Sequence, residues 1–132
     1  MTETIECELA VYGATPGGIL AAVTAARYGR RVTLCTAQSH LGGLLSSGLS
    51  IANIRYLQVH GGPFAAFARA VEAHYVAAHG PDGAAVGECR GGTWWEPHVA
   101  EAVFEALLAA APGVRLLRGV RLEAARTAGG RV

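Results

Sequence analysis

Three glycines follow a short apolar run in the segment Val11-Tyr12-Gly13-Ala14-Thr15-Pro16-Gly17-Gly18-Ile19. Glycines at this spacing, between a strand and a helix, do the chemistry of anion capture. Gly13 permits a sharp turn out of the strand, and Gly18 lets the helix pack close to the sheet. The first-turn N–H groups, with the helix dipole behind them, then face an anion. A dinucleotide diphosphate is the anion that strand, turn and helix in this order receive. The candidate ligands are therefore Gly13, Ala14, Thr15, Pro16, Gly17 and Gly18. Thr15 stands where the G-x-G-x-x-G pattern has its middle glycine, and its side chain takes up space toward the diphosphate. Two roles are open to its hydroxyl: donation to a phosphate oxygen, or capping of the helix.

A second cluster follows the next apolar run. Dinucleotide folds place an acidic residue at the end of strand two, where it accepts hydrogen bonds from the ribose hydroxyls. Here that position is Thr36, and no Asp or Glu occurs between Arg31 and Ser50. Thr36 accepts one neutral hydrogen bond and no bidentate pair. Arg30 and Arg31 precede the strand and are expected to face solvent, so a 2′-phosphate is not clearly invited either. His40-Leu41-Gly42-Gly43-Leu44 comes next. Its paired glycines either let backbone lie flat against a ligand or make a flexible loop, and His40 either bonds a cofactor or faces solvent. His60, His74 and His79 form no metal set, and Trp94 and Trp95 read as core. No residue takes a catalytic assignment.

Positioning these groups requires a particular order of elements. Residues 9–12 read as a parallel strand, apolar and expected to be buried on both faces under helices. Pro16 suits a first helical turn, with Ile19, Leu20, Ala22, Val23 and Ala26 inward and Gly29 as the stop. Residues 32–35 form strand two, completing a βαβ unit. Residues 37–62 are a Gly- and Ser-rich loop of a length that is usually functional or mobile. Pro63 opens a second helix that ends at Gly80, residues 80–93 are loop again, and Glu96-Pro97 starts a third helix. Strand three spans residues 114–117, and residues 120–125 with 131–132 begin a β-hairpin. The expected fold is α/β: a partial, Rossmann-like parallel sheet of order 3-2-1 with helices packed on it.

The chain has 132 residues, 52% hydrophobic and 16% charged, which is enough for one domain with a real core. A net charge of +1 and the lack of a basic run argue against nucleic acid. Residues 1–8 carry three glutamates and no apolar stretch, so no leader is expected, and no apolar run is long enough for a membrane span. Cys7, Cys35 and Cys89 lack C-x-x-C spacing and read as reduced, mostly buried thiols of a cytoplasmic protein, not as a zinc or disulfide framework.

Taken together, these segments resemble the FAD-dependent oxidoreductases of the glutathione-reductase-like flavoprotein superfamily, in a bacterial branch described near xanthan lyase. The opening turn, the His40-Leu41-Gly42-Gly43-Leu44 segment (similar to H-L-G-G-M) and Glu96-Pro97-His98-Val99-Ala100-Glu101 carry the resemblance. It implies that amides of residues 15–18 hold the FAD diphosphate and that Thr36 stands at the ribose position. It also implies that Gly42-Gly43 line the path toward the flavin and that the backbone of Leu122 meets adenine. Residues 1–132 would form the N-terminal part of an FAD-binding domain, with residues 39–95 as a long loop and helix insertion. Such enzymes are longer, so the remainder of the enzyme, an unidentified small-molecule substrate and a completed sheet are expected partners. Residues 9–12 would then leave an open strand edge, which favours association. Two alternatives stand beside this reading. An NAD(P)-binding segment is disfavoured by the Gly42-Gly43 loop, and a cofactor-free remnant or interaction module is favoured by Thr36.

Overall fold

The computed structural model describes residues 4–132. The first three residues, part of the N-terminal segment read as carrying no leader, lie outside the described residues. Strand β1 spans Leu9–Tyr12, helix α1 Pro16–Arg27 and strand β2 Val32–Thr36. Helices α2 (Gly62–His79), α3 (Ala84–Glu88) and α4 (Pro97–Ala109) follow, and strand β3 is Val114–Arg118. The three strands form one parallel sheet in the order β1-β2-β3, with Leu9 opposite Val32 and Val32 opposite Val114. This is the expected 3-2-1 arrangement.

Local chemistry explains the helix ends. Pro16 and Pro97 occupy the first turns of α1 and α4, where a missing N–H costs nothing. α1 stops in a Schellman motif: Arg30 N–H donates to Ala25 O at 3.1 Å and Gly29 N–H to Ala26 O at 2.9 Å. α4 is anchored at its start by Tyr75 of α2. The Tyr75 hydroxyl accepts the Glu96 N–H at 2.9 Å and donates to the Glu96 carboxylate at 3.3 Å. Burial raises the Tyr75 phenol above its ordinary range, so it remains a hydroxyl able to do both.

Val32 and Leu34, with Val11, Val114 and Leu116, share one sheet face against α1 and the core. The core continues through α2 and α4, where Phe67 stacks on Phe104 at 4.8 Å and meets Trp95 edge-on at 5.4 Å. The other sheet face is exposed or half-buried along Ala10, Tyr12, Cys35, Arg115 and Leu117, while Thr33 at its centre is buried. Strand β1 corrects the expectation of burial on both faces: Tyr12 is 49% exposed on the open face, and Leu9, on the core face at the sheet edge, is 39% exposed. It lies at the sheet edge, paired only with β2 among the described residues.

Two other differences concern loops. Residues 80–93 contain the short helix α3, and the 37–62 stretch contains 3-10 turns at Gly43–Ser46 and Leu57–Val59. The stretch from residue 50 to residue 95 is closed at its base. Ile51 bridges Trp94 antiparallel, Ala52 N–H donates to Thr93 O at 2.8 Å and Trp95 N–H to Ser50 O at 3.0 Å. After β3 the expected hairpin is reduced to an isolated bridge between Ala128 and Arg131, and residues 121–127 adopt no strand. Cys7, Cys35 and Cys89 are unpaired thiols, and only Cys89 is buried; Cys7 and Cys35 are half-buried, against the expectation that most would be buried.

Candidate functional site

The carboxyl ends of β1 and β2 open into a cleft of about 200 Å³, lined by Tyr12, Gly13, Ala14, Thr15, Thr36, Ala37, Gln38 and Gly43. Ligands of open parallel α/β sheets bind at this edge. Gly13 leaves β1 with a φ of 108°, a left-handed value that glycine adopts freely, and its N–H donates to Cys35 O at 2.8 Å. The turn is thereby tied to β2. A Cβ on Gly18 would lie 2.0 Å from Gly13 O, so α1 approaches the turn as closely as only glycine allows. A Cβ on Gly13 or Gly17, in contrast, would meet nothing within 4 Å. Open space thus lies directly against the backbone of the first helical turn.

Thr15 is the helix cap: its hydroxyl accepts the Gly18 N–H at 3.2 Å. That removes one amide from the anion-binding set, and Pro16 has none. The N–H groups of Thr15 and Gly17 donate to no protein acceptor among the described residues. They remain for a ligand, at the positive end of the α1 dipole. None of the lining side chains carries a formal charge at neutral pH, so attraction for an anion comes from these amides and the dipole.

Thr36 is 5% exposed and already engaged. Its hydroxyl accepts the Gln38 N–H at 3.2 Å, and its carbonyl accepts the Val120 N–H at 2.9 Å. Gln38 itself is exposed and lines the cleft; residue type alone did not single it out. Its position two residues past the end of a parallel strand is the signal that could have found it.

Gly42 and Gly43 reach the same corner. Gly42 N–H donates to Ala14 O at 2.9 Å, and a Cβ on Gly43 would lie 3.6 Å from the Thr15 Cα. Gly42 has a φ of 92°, and a Cβ there would meet the Phe104 ring at 2.5 Å. Leu41 is fully buried. His40 turns inward to the protein: its Nδ1 lies 2.9 Å from a Glu101 carboxylate oxygen and its Nε2 2.9 Å from Ser46 O. Leu122, 58% exposed, lies on the chain after β3 and does not line the cleft. Sequence reasoning also missed Glu101 and Ser46, whose roles depend on contacts across the fold.

Burial raises the Cys35 thiol above its ordinary range, with Cys7 adding a smaller push in the same direction. A thiol held protonated is a poor nucleophile. Among the described residues no cluster of His, Cys, Asp and Glu could hold a metal ion. No helix among them is long and apolar enough to cross a membrane.

Comparison with a solved structure shows the same fold. Thermovibrio ammonificans THI4 is similar with a TM-score of 0.54 at 14% identity, covering 95% of this chain and 44% of that chain. The HOCl-induced flavoprotein disulfide reductase RclA from Escherichia coli gives a TM-score of 0.42 at 20% identity, over 83% of this chain and 21% of that one. The chain thus spans less than half the length of either protein. No curated protein matches it. The model of the FAD dependent oxidoreductases matches residues 8–132, nearly the whole sequence. With that match over nearly the whole sequence, the chain belongs to the FAD dependent oxidoreductase family and FAD is its cofactor.

Proposed function

We propose that the cleft at the end of β1 and β2 holds the diphosphate and adenosine side of FAD in a flavin-dependent oxidoreductase. The observation that carries this reading is that the amides of Ala14, Thr15 and Gly17 have no protein acceptor among the described residues, beside open space at Gly13 and Gly17. Pockets for whole drug-sized ligands measure about 300–1,000 Å³. At about 200 Å³ the cleft suits one part of a dinucleotide, and the remainder extends beyond it. Gly13, Ala14 and Gly18 shape the turn, while Thr15 and Pro16 set the helix start. Gly43 closes the side wall. Thr36 supports the ribose end by holding the Gln38 N–H, and Gln38, which lines the cleft, offers an uncharged side-chain amide to ribose hydroxyls. Leu122 is carried over for adenine on the family resemblance alone.

When bound, FAD supplies hydride and electron transfer; the protein's share is binding, orientation and electrostatics. Residues 1–132 act in this reading as the N-terminal part of the FAD-binding domain, with residues 39–95 as its insertion. The oxidation of a small-molecule substrate belongs to the longer enzyme, whose remaining strands complete the sheet beside β1. A cytoplasmic setting fits three unpaired thiols.

The test is a titration of the purified chain with FAD and, separately, NAD(P), followed by tryptophan fluorescence and calorimetry. FAD should bind more tightly than NAD(P), and Gly17→Asp, which sets a carboxylate over the free amides, should abolish uptake. Tighter NAD(P) binding would reverse the cofactor assignment. A colourless protein that takes up no added FAD would instead mark a cofactor-free module.

A further inference from the structure

We infer that Glu101 is a positioning residue for the cofactor cleft: from α4 it fixes the loop of residues 40–46, so that Gly42 and Gly43 abut the glycine turn. The inference rests on the FAD-binding reading above and adds a residue that touches neither the turn nor the cleft. One carboxylate oxygen of Glu101 accepts the Leu41 N–H at 3.0 Å, and the other lies 2.9 Å from His40 Nδ1. His40 carries the tie onward, its Nε2 being 2.9 Å from Ser46 O. The Ser46 hydroxyl turns back to the carbonyls of Leu41 and Gly43. Trp95, just before α4, donates from its indole nitrogen to Leu45 O at 2.8 Å. One helical turn beyond Glu101, Glu105 holds Arg118, which donates to Ser39 O at 2.7 Å.

These contacts converge on a single outcome. The loop is bonded at residues 39, 40, 41, 45 and 46, and between those ties the Gly42 N–H reaches Ala14 O at 2.9 Å. Gly42 needs left-handed backbone there, a conformation that a free loop samples as one among many. Locking Leu41 and His40 from α4 removes those alternatives before a ligand arrives. Glu101 and His40 lie far apart in sequence, in the two segments His40-Leu41-Gly42-Gly43-Leu44 and Glu96-Pro97-His98-Val99-Ala100-Glu101.

The experiment compares wild type, Glu101→Ala and Glu101→Gln in the full chain. Three measurements are made: melting without ligand, amide hydrogen exchange at Leu41 and Gly42, and FAD affinity by calorimetry well below the melting temperature. If Glu101→Ala lowers the fraction of loop in the binding arrangement to about one-tenth, the FAD dissociation constant rises about tenfold. Gln retains a carbonyl for the Leu41 N–H, so Glu101→Gln should stay within about threefold of wild type. Gly42 exchange should quicken in the Ala variant and not in the Gln variant. Unchanged FAD affinity in a folded Glu101→Ala protein would overturn the inference and leave the cofactor reading intact. So would an affinity loss that Gln fails to relieve while Gly42 exchange is unaltered. Failure of the wild type itself to bind FAD would overturn both.

Discussion

Adding a single methyl group at Gly18 tests the geometry of the anion corner directly. The Cβ of Gly18→Ala would lie 2.0 Å from Gly13 O and 3.2 Å from Gly13 C. A relaxed carbon–oxygen contact is about 3.3 Å. Helix and turn must therefore separate by about 1.3 Å along that line. The obstructing atom is backbone, and the turn is held to β2 by the Gly13 N–H bond of 2.8 Å, so neither side yields cheaply. Overpacking of this kind costs about 1–3 kcal/mol. Replacing glycine by alanine in a helix returns at most about 1 kcal/mol, and less in the first turn. The net expectation is a loss of about 1–2 kcal/mol, or roughly 4–7 °C in melting temperature for a chain of this size.

Gly17→Ala is the internal control. Its Cβ meets nothing within 4 Å, so it should gain about 0.4–1 kcal/mol by restricting the unfolded chain. Thermal unfolding followed by far-ultraviolet circular dichroism reads both variants under one set of conditions. Gly18→Ala melting at or above wild type, or Gly17→Ala falling as far as Gly18→Ala, would refute the close-approach argument.

Two further outcomes follow from sites outside the cleft. Gly92→Ala drives a Cβ to 1.7 Å from Ala68 O at a φ of 77°, so it should cost about 3 kcal/mol or more and show as a large drop in denaturation midpoint. The Glu8 carboxyl is held below its ordinary range, first by the Arg31 N–H and then by the Arg30 guanidinium. A depressed carboxyl contributes stability above its unfolded value and loses it as pH falls through its folded value. Glu8→Gln should therefore lie below wild type at neutral pH and converge with it in acid, as checked by urea midpoints across a pH series; parallel curves would count against the pairing.

The parts of this fold that were legible in the sequence are those set by neighbours along the chain. Thr15, Pro16 and Gly18 announce the start of α1 because cap, φ restriction and close packing all act within one turn. Ile19, Val23, Phe67, Val71, Val99 and Phe104 reveal buried faces because helical period alone aligns them. Helix α3 was hidden because five residues, one of them Gly87, offer no period to read. The exposure of Leu9 and Tyr12 was hidden for a different reason. An apolar strand reads the same whether or not another element covers it, so burial on both faces was expected and is absent. At the site, the turn and the Gly42-Gly43 loop were legible as separate motifs. Their meeting through Ala14 O, and the tie from Glu101 to His40, depend on packing between segments remote in sequence. Thr36 was legible as a departure, whereas the commitment of its hydroxyl to Gln38 and its carbonyl to Val120 required the fold.

The half-bare sheet has a thermodynamic consequence. Unfolding a sheet layered on both sides hydrates two apolar faces, and here one of them already meets water along Ala10, Tyr12, Cys35 and Leu117. The heat-capacity increment on unfolding should therefore fall below the usual value of about 12–15 cal/mol/K per residue, giving a flatter stability curve and a shallower denaturant slope. Whatever settles onto that surface would steepen both.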